Sequence, residues 1–292
     1  MIINSEDKIG LVLSGGGCRG IEGALGMYQC LKDNNIPVDY IYACSGGALA
    51  GAIIMSKRNP LDVMKELKPK DFLDMNNPFS ILFGAPVFKI EPVEKAIYKV
   101  IGDSIYSNLV VNFTDLATHE TFWAKGSRST IVASMSIPKV FPPKKLTGTV
   151  YQNIEPYNHP GPMKSVHKII FINNRSVVDG GVYCLHPYPD TLTINKSKHI
   201  FSFVCPAGSS PEEMEKSSHL KQCINWITEI EERGYRQSLP VYGDFDNVSI
   251  IRPSPINTPF FDWSNNFELY FHCYDSMFEV VKNNKQIRGL IL

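Results

Sequence analysis

The chain has no C-x-x-C pair, no excess of either charge and no apolar run long enough to cross a bilayer. Its seven cysteines are scattered and odd in number, which argues against a zinc site or a disulfide framework and for free thiols in a reducing compartment. Basic and acidic residues balance at 29 each, so no global field favours nucleic acid or an anionic membrane, and any lipid contact has to be local and apolar. The longest uncharged stretch, Tyr40 to Ser56, is 17 residues and is interrupted by glycine and serine. It falls short of a membrane span and reads as a buried strand entering a helix. The opening MIINSEDKIG carries two acids where a secretory signal needs basic residues ahead of an apolar core. The seven histidines show no H-x-x-x-H or similar ligand spacing, and no metal or other cofactor is expected. The expectation is a cytoplasmic protein with no nucleic-acid partner and at most peripheral membrane contact.

What is present is an ordinary globular composition, 43% hydrophobic and 20% charged over 292 residues, enough for one large α/β core. Ile9 to Leu13 and Tyr40 to Ala43 are strand candidates, and residues 21–32 and Gly46 to Lys57 have helical spacing. Further strands are predicted at 108–113, 119–124, 168–172, 175–179 and 199–204, and helices at 61–67, 92–101, 127–136, 211–232 and 264–282. Strand–helix alternation in the first third predicts a three-layer α/β/α fold with a mostly parallel central sheet. Without an internal repeat or a long linker, one domain over 1–292 is expected, its core motifs within 8–205 and a helical part over 206–292. The stretch 141–167, rich in Pro, Asn and Gly, reads as a surface insertion.

Within YIYACSGGALAG, residues 40–51, Ser45 sits among very small neighbours. A strand, a sharp turn holding a serine, then a helix is the nucleophile-elbow arrangement, in which the residues two before and two after must be small to avoid collision. Here those are Ala43 and Gly47, and the following helix would aim its free N–H groups at an oxyanion. The competing reading is that Ser45 merely caps that helix.

LVLSGGGCRG, residues 11–20, places three glycines after the first strand. Gly15 to Gly20 formally satisfies G-x-G-x-x-G, which makes a dinucleotide-binding fold a rival. That fold needs an acid at the end of the second strand, whereas Asp39 lies at its beginning. The loop also lacks the Gly-Lys-Ser/Thr ending of a P-loop. What remains is a run of backbone N–H groups at the same sheet edge as Ser45, suited to an oxyanion hole. In SVVDGGV, residues 176–182, Asp179 ends a strand and Gly180 and Gly181 follow. Alone this reads as a tight turn. The three motifs together supply a nucleophile, an acceptor for its proton and donors for developing charge.

GGGCRG, ACSGGA and DGG, in that order, resemble the patatin-like phospholipase family. The segment 112–143, ending in Pro138-x-x-Phe141-x-Pro143, is similar to the family as well, so that the likeness runs over roughly residues 8–205. The resemblance implies a serine acyl hydrolase with a Ser-Asp dyad acting on fatty-acyl esters of phospholipids or related glycerolipids. It implies Ser45 as nucleophile and Asp179 as general base. It also implies an oxyanion loop formed by the backbone of Gly15, Gly16, Gly17 and Cys18, with Arg19 stabilising that loop. A nucleotide-binding protein built on the glycine loop and a non-catalytic lipid-binding relative are the alternatives. The sequence departs from the family pattern at Ala43, where the elbow usually has glycine, and at Leu185, where asparagine is common. About 35 residues also separate Pro143 from Asp179, more than the family usually carries.

Other residues have plainer readings. Cys44 is expected to point away from the site into the core. His186 is the one histidine near enough in sequence to Asp179 to be considered as a triad member, though a solvent-facing loop is the alternative. The Pro-broken apolar run 72–88 reads as a lid or membrane-touching loop, or as a buried cap. The aromatic stripe Phe267, Tyr270, Phe271, Tyr274 and Phe278 reads as core.

Overall fold

The computed structural model describes residues 4–68, 72–77, 80–81, 84–153, 167–187, 189–206, 245–256, 267–284 and 287. The helix predicted at 211–232 lies outside the described residues. Strand β1 (Ile9–Leu13) is buried throughout, and an unbroken apolar run of this kind suits a central strand covered on both faces. It pairs in parallel with β2 (Tyr40–Ala43) on one side and β7 (His199–Phe203) on the other. β3 (Tyr106–Asp115) continues beyond β2 and β8 (Val248–Ile251) beyond β7, both parallel.

The other half of the sheet is antiparallel. β4 (Thr121–Gly126), β5 (Lys144–Asn153) and β6 (His167–Asp179) extend it in the order β4-β5-β6-β3-β2-β1-β7-β8. Because β4 also pairs with β3, these four strands close on themselves around Phe113, Phe122, Leu146, Val150, Ile172 and Val177. The expectation of a mostly parallel sheet therefore holds for five strands, and the sheet as a whole is mixed. The physical reason is connection length: five residues join β3 to β4, too few for the crossover a parallel pair needs. Residues 144–153, within the stretch 141–167 that reads as a surface insertion, form a strand instead, whereas the strands predicted at 168–172 and 175–179 are present as β6. β6 also runs unbroken through Asn173 and Asn174, where two separate strands were expected.

Helices α1 (Gly17–Asp33) and α2 (Gly46–Met55) follow β1 and β2 directly. α3 (Pro60–Glu66) starts with Pro at its first position and an Asn59 cap that accepts from the Asp62 N–H at 3.2 Å. α4 (Glu91–Ile101) is amphipathic, and α5 (Arg128–Ser134) is opened by a Ser127–Thr130 capping box. Two short helices, α6 (Gly181–Cys184) and α7 (Thr191–Lys196), lead back to β7. α8 (Glu268–Asn283) packs on α1 so closely that a Cβ at Gly26 would lie 2.0 Å from the Tyr270 carbonyl oxygen. Of the expected aromatic stripe, Tyr270 is buried, while Phe271 and Phe278 face solvent.

Candidate active site

Pairing of Leu13 with Ala43 brings the loops after β1 and β2 side by side. The third motif arrives from the opposite direction. Ala43, two residues before Ser45, pairs with Val111 of β3, and Phe113, two residues after Val111, pairs with Asp179 at the end of antiparallel β6. Sheet register thus brings the end of β2, just ahead of the serine, and the aspartate to the same edge.

Ser45 has φ 50° and ψ −123°, a conformation that an L-residue adopts only under constraint. Its side chain makes no capping bond to α2, so the helix-cap reading of this serine fails. The small neighbours are required by backbone contact. A Cβ at Gly46 would lie 2.2 Å from the Gly17 oxygen, and one at Gly47 would lie 2.5 Å from the Ser14 oxygen. Ala43, where the family pattern has glycine, is accommodated in the core without exposure. The Ser45 N–H donates to the Ser134 hydroxyl at 2.8 Å, which fixes the turn from behind.

The glycine loop turns through left-handed backbone at Gly16 (φ 146°) and Gly17 (φ 56°) to begin α1. Gly17 and Cys18 line the same pocket as Ser45 and Gly46, so the first turn of α1 faces the serine. Gly15 behaves differently from the rest of the expected oxyanion loop. Its N–H donates to the Leu185 carbonyl at 3.0 Å and is thereby occupied; its lack of a side chain leaves space for Leu185 and for Ser45 Cβ. Arg19 is buried and does not line the pocket. Asp39, at the start of β2, accepts the Ile9 N–H at 2.8 Å, at the other end of the strand from the glycine loop.

Asp179 is buried, and its backbone N–H donates to the Ser136 carbonyl at 3.0 Å. Its Oδ1 accepts the Gly181 N–H at 2.7 Å; Oδ2 has no hydrogen-bond partner among the described residues. Burial pushes the carboxyl up to about 7, against the opposing pull of the Ser45 hydroxyl, the Gly181 N–H and the Cys44 thiol. The serine hydroxyl is thus one of the groups that favour the charged carboxylate. The two glycines after Asp179 are there for close approach: Gly180 has an ordinary helical φ of −64°, and a Cβ on it would lie 2.6 Å from the Asn112 amide.

The serine opens onto an apolar pocket. Phe72, Leu73, Val93, Met135, Ile137 and Phe141 supply its walls. The described part of 72–88 is a docked cap. Val87 and Phe88 donate their N–H groups to Lys139 and Val140, each at 2.9 Å, and Met75 bridges to Phe88. Phe72 and Phe88 are buried by this, whereas Met75 remains 59% exposed.

Two expectations are corrected. Cys44 does not turn away from the site: its Sγ lies 3.8 Å from Asp179 Oδ1. His186 is buried rather than solvent-facing, bonded through Nε2 to the Ser202 hydroxyl at 2.7 Å, and burial pushes it down to about 3. Residues 134–137 carry little sequence signal of their own beyond their likeness to the family. Ser134 and Ser136 hold the backbones of Ser45 and Asp179, while Met135 and Ile137, which alternate with them, face the pocket. The one local signal was the small-residue pair Ala133-Ser134 ahead of Pro138.

Comparison with known proteins shows the family and the fold. The family model described as patatin-like phospholipase matches residues 11–189. The neuropathy target esterase sws of Drosophila grimshawi is 30% identical over 152 residues, covering 47% of this chain and 10% of that protein. The protein of the same name in Drosophila melanogaster is 32% identical over 124 residues, covering 39% and 8%. The chain therefore spans about a tenth of the length of these curated relatives. Among solved structures, VipD from Legionella pneumophila superposes with a TM-score of 0.50 at 13% identity, covering 98% of this chain and 67% of that one. Human GIVD cytosolic phospholipase A2 does so with a TM-score of 0.50 at 10% identity, covering 98% and 60%. These two likenesses establish a shared fold. With the family model spanning both the strained serine and the buried aspartate, the chain belongs to the patatin-like phospholipase family.

Proposed function

We propose that the protein is a lipid acyl hydrolase that cleaves fatty-acyl esters of phospholipids or related glycerolipids through an acyl-serine intermediate. The observation that carries this reading is a serine held at φ 50° against a buried carboxyl beside an apolar pocket. In the first step Ser45 Oγ attacks the ester carbonyl carbon while its proton passes to Asp179 Oδ2. The carbonyl oxygen becomes an oxyanion facing the N–H groups at the start of α1, with Gly16, Gly17 and Cys18 as the candidate donors, of which Gly17 and Cys18 line the pocket. The C–O bond to the alcohol then breaks, and Asp179 returns the proton to the departing oxygen. Water attacks the acyl-serine, gives a proton to Asp179, and releases the fatty acid as Ser45 recovers its hydrogen.

A carboxylate with an ordinary pKa would be too weak a base for this, and burial of Asp179 supplies the missing basicity. The apolar walls suit an acyl chain, and the exposed Met75 beside pocket-lining Phe72 and Leu73 suits peripheral contact with a lipid surface. Nucleotide binding is the weaker reading, because the glycine loop faces a serine and an apolar cavity, with no acid at that end of β2.

The test is labelling by a fluorophosphonate probe together with fatty-acid release from mixed glycerolipid vesicles, for the wild type and Ser45→Ala. Labelling and release in the wild type, both lost in a variant that unfolds at the normal temperature, are expected. Release that persists in Ser45→Ala would remove Ser45 from the chemistry.

A further inference from the structure

We propose that Cys44 is a positioning residue for the general base: its thiol holds Asp179 Oδ1 and leaves Oδ2 for the serine proton. The proposal rests on Ser45 and Asp179 being the dyad. The geometry begins with register. Cys44 follows Ala43, which is level with Val111, so it lies level with Asn112 on the neighbouring strand and beside the end of β6. Its side chain is fully buried, and its Sγ is 3.8 Å from Asp179 Oδ1, within reach of a weak S–H···O bond.

The same oxygen accepts the Gly181 N–H at 2.7 Å, so Oδ1 is held from two sides while Oδ2 has no partner among the described residues. That asymmetry is what a base requires. One oxygen fixes the orientation of the carboxylate; the other keeps its lone pairs free. The groups facing the carboxylate are the Ser45 hydroxyl, the Gly181 N–H and the Cys44 thiol. Cys44 is itself close to Asn112, whose amide donates to the Cys184 carbonyl at 2.8 Å, and to the Cys184 thiol. All of these groups are uncharged. The thiol stays protonated, because burial and the adjacent carboxylate push it well up, so it acts as a donor throughout the working pH range.

The residue type then has a consequence. A hydroxyl here would be a stronger donor to Oδ1, would favour the charged carboxylate more and would make it a weaker base; a methyl would do the reverse. A thiol lies between them, filling the buried space while withdrawing little basicity.

The experiment is the pH dependence of kcat/KM for a soluble fatty-acyl ester, with wild type, Cys44→Ser and Cys44→Ala, each checked by thermal unfolding. Activity needs the ionised carboxylate, so the acid limb reports the base. In Cys44→Ser the limb should move to lower pH by on the order of one unit, with a lower plateau. In Cys44→Ala it should move to higher pH by about half a unit. KM should change little in either. If Cys44→Ala does not fold, the near-isosteric serine variant decides alone. Limbs that superimpose in an active wild type and its variants would reduce Cys44 to core packing and leave the dyad intact. A wild type whose hydrolysis does not depend on Ser45 would remove the dyad, and this proposal with it.

Discussion

At the scale of single residues, the proposed chemistry falls on Ser45 and Asp179, and neighbouring groups hold them. Asp179→Asn preserves shape and the Oδ1 contact but removes the proton acceptor. It should lower kcat by several orders of magnitude, about the range seen when an activating base is lost, with fluorophosphonate labelling falling in parallel. The wild-type rate should rise with pH through an apparent pKa of about 7, because burial raises the Asp179 carboxyl and only its ionised form accepts the serine proton. A flat profile from pH 5 to 8 would assign the base elsewhere. His186→Ala should act on stability instead. Removing a buried imidazole leaves the Ser202 hydroxyl unpaired and a cavity behind, a loss on the order of 2–4 kcal/mol read by denaturant unfolding. The folded fraction should hydrolyse at nearly the wild-type rate, whereas a loss as deep as that of Asp179→Asn would point to a triad.

Among elements, the turn at the end of α5 joins parts of the site that the chain order keeps far apart. Ser134 accepts the Ser45 N–H and the Ser136 carbonyl accepts the Asp179 N–H, so one turn sets the spacing of the two candidate catalytic residues. Ser134→Ala should leave the Ser45 N–H buried without a partner, a cost of about 1–3 kcal/mol at a backbone already held in strain. Relaxation of the elbow should lower kcat tenfold or more with KM nearly constant, since the pocket walls are unchanged. An equal rise in KM would mean that the turn shapes the pocket rather than the dyad. The missed β5 has a related explanation at this scale. Among its residues whose burial is described, KKLTGTVYQN buries only Leu146 and Val150, and it is interrupted by Gly148 at a register shift, so it lacks the apolar alternation by which strands are recognised.

For the whole molecule, buried titratable groups set how stability depends on pH. Burial lowers His186 to about 3 and His199 to about 4, so both bind protons more readily unfolded, and their contribution is lost as pH falls below about 6.5. Asp115 acts in the same sense at lower pH. Burial alone would raise it, but Arg175 at 2.7 Å and the N–H groups of Thr118 and Ala117 outweigh that and lower it. Asp179 opposes them: its raised value favours the fold below about 4, a contribution lost as pH rises through about 7. Between about 4 and 6.5, two histidines against one aspartate leave a net uptake of about one proton on unfolding. Stability should therefore fall by roughly 1.4 kcal/mol per pH unit on acidification through that window. Urea unfolding at pH 6.5, 5.5 and 4.5 measures it, and a midpoint that rises toward pH 4.5 would contradict the buried, neutral state of the two histidines.

The sequence by itself determined the parts of this protein that depend on local backbone demands. A serine at a turn that tolerates only small neighbours, glycines in left-handed backbone and apolar runs covered on both faces leave their mark in consecutive residues, and β1, β2, α1 and α2 were legible from them. The tertiary structure alone decided what depends on residues far apart in the chain. The antiparallel approach of β6, the Leu185 carbonyl occupying the Gly15 N–H, the Ser134–Ser136 turn behind Ser45 and Asp179, and the Cys44 thiol on Asp179 are all contacts between separate segments. Sheet register brings them together. Register is set by pairing across the whole sheet, and no short window of residues contains it.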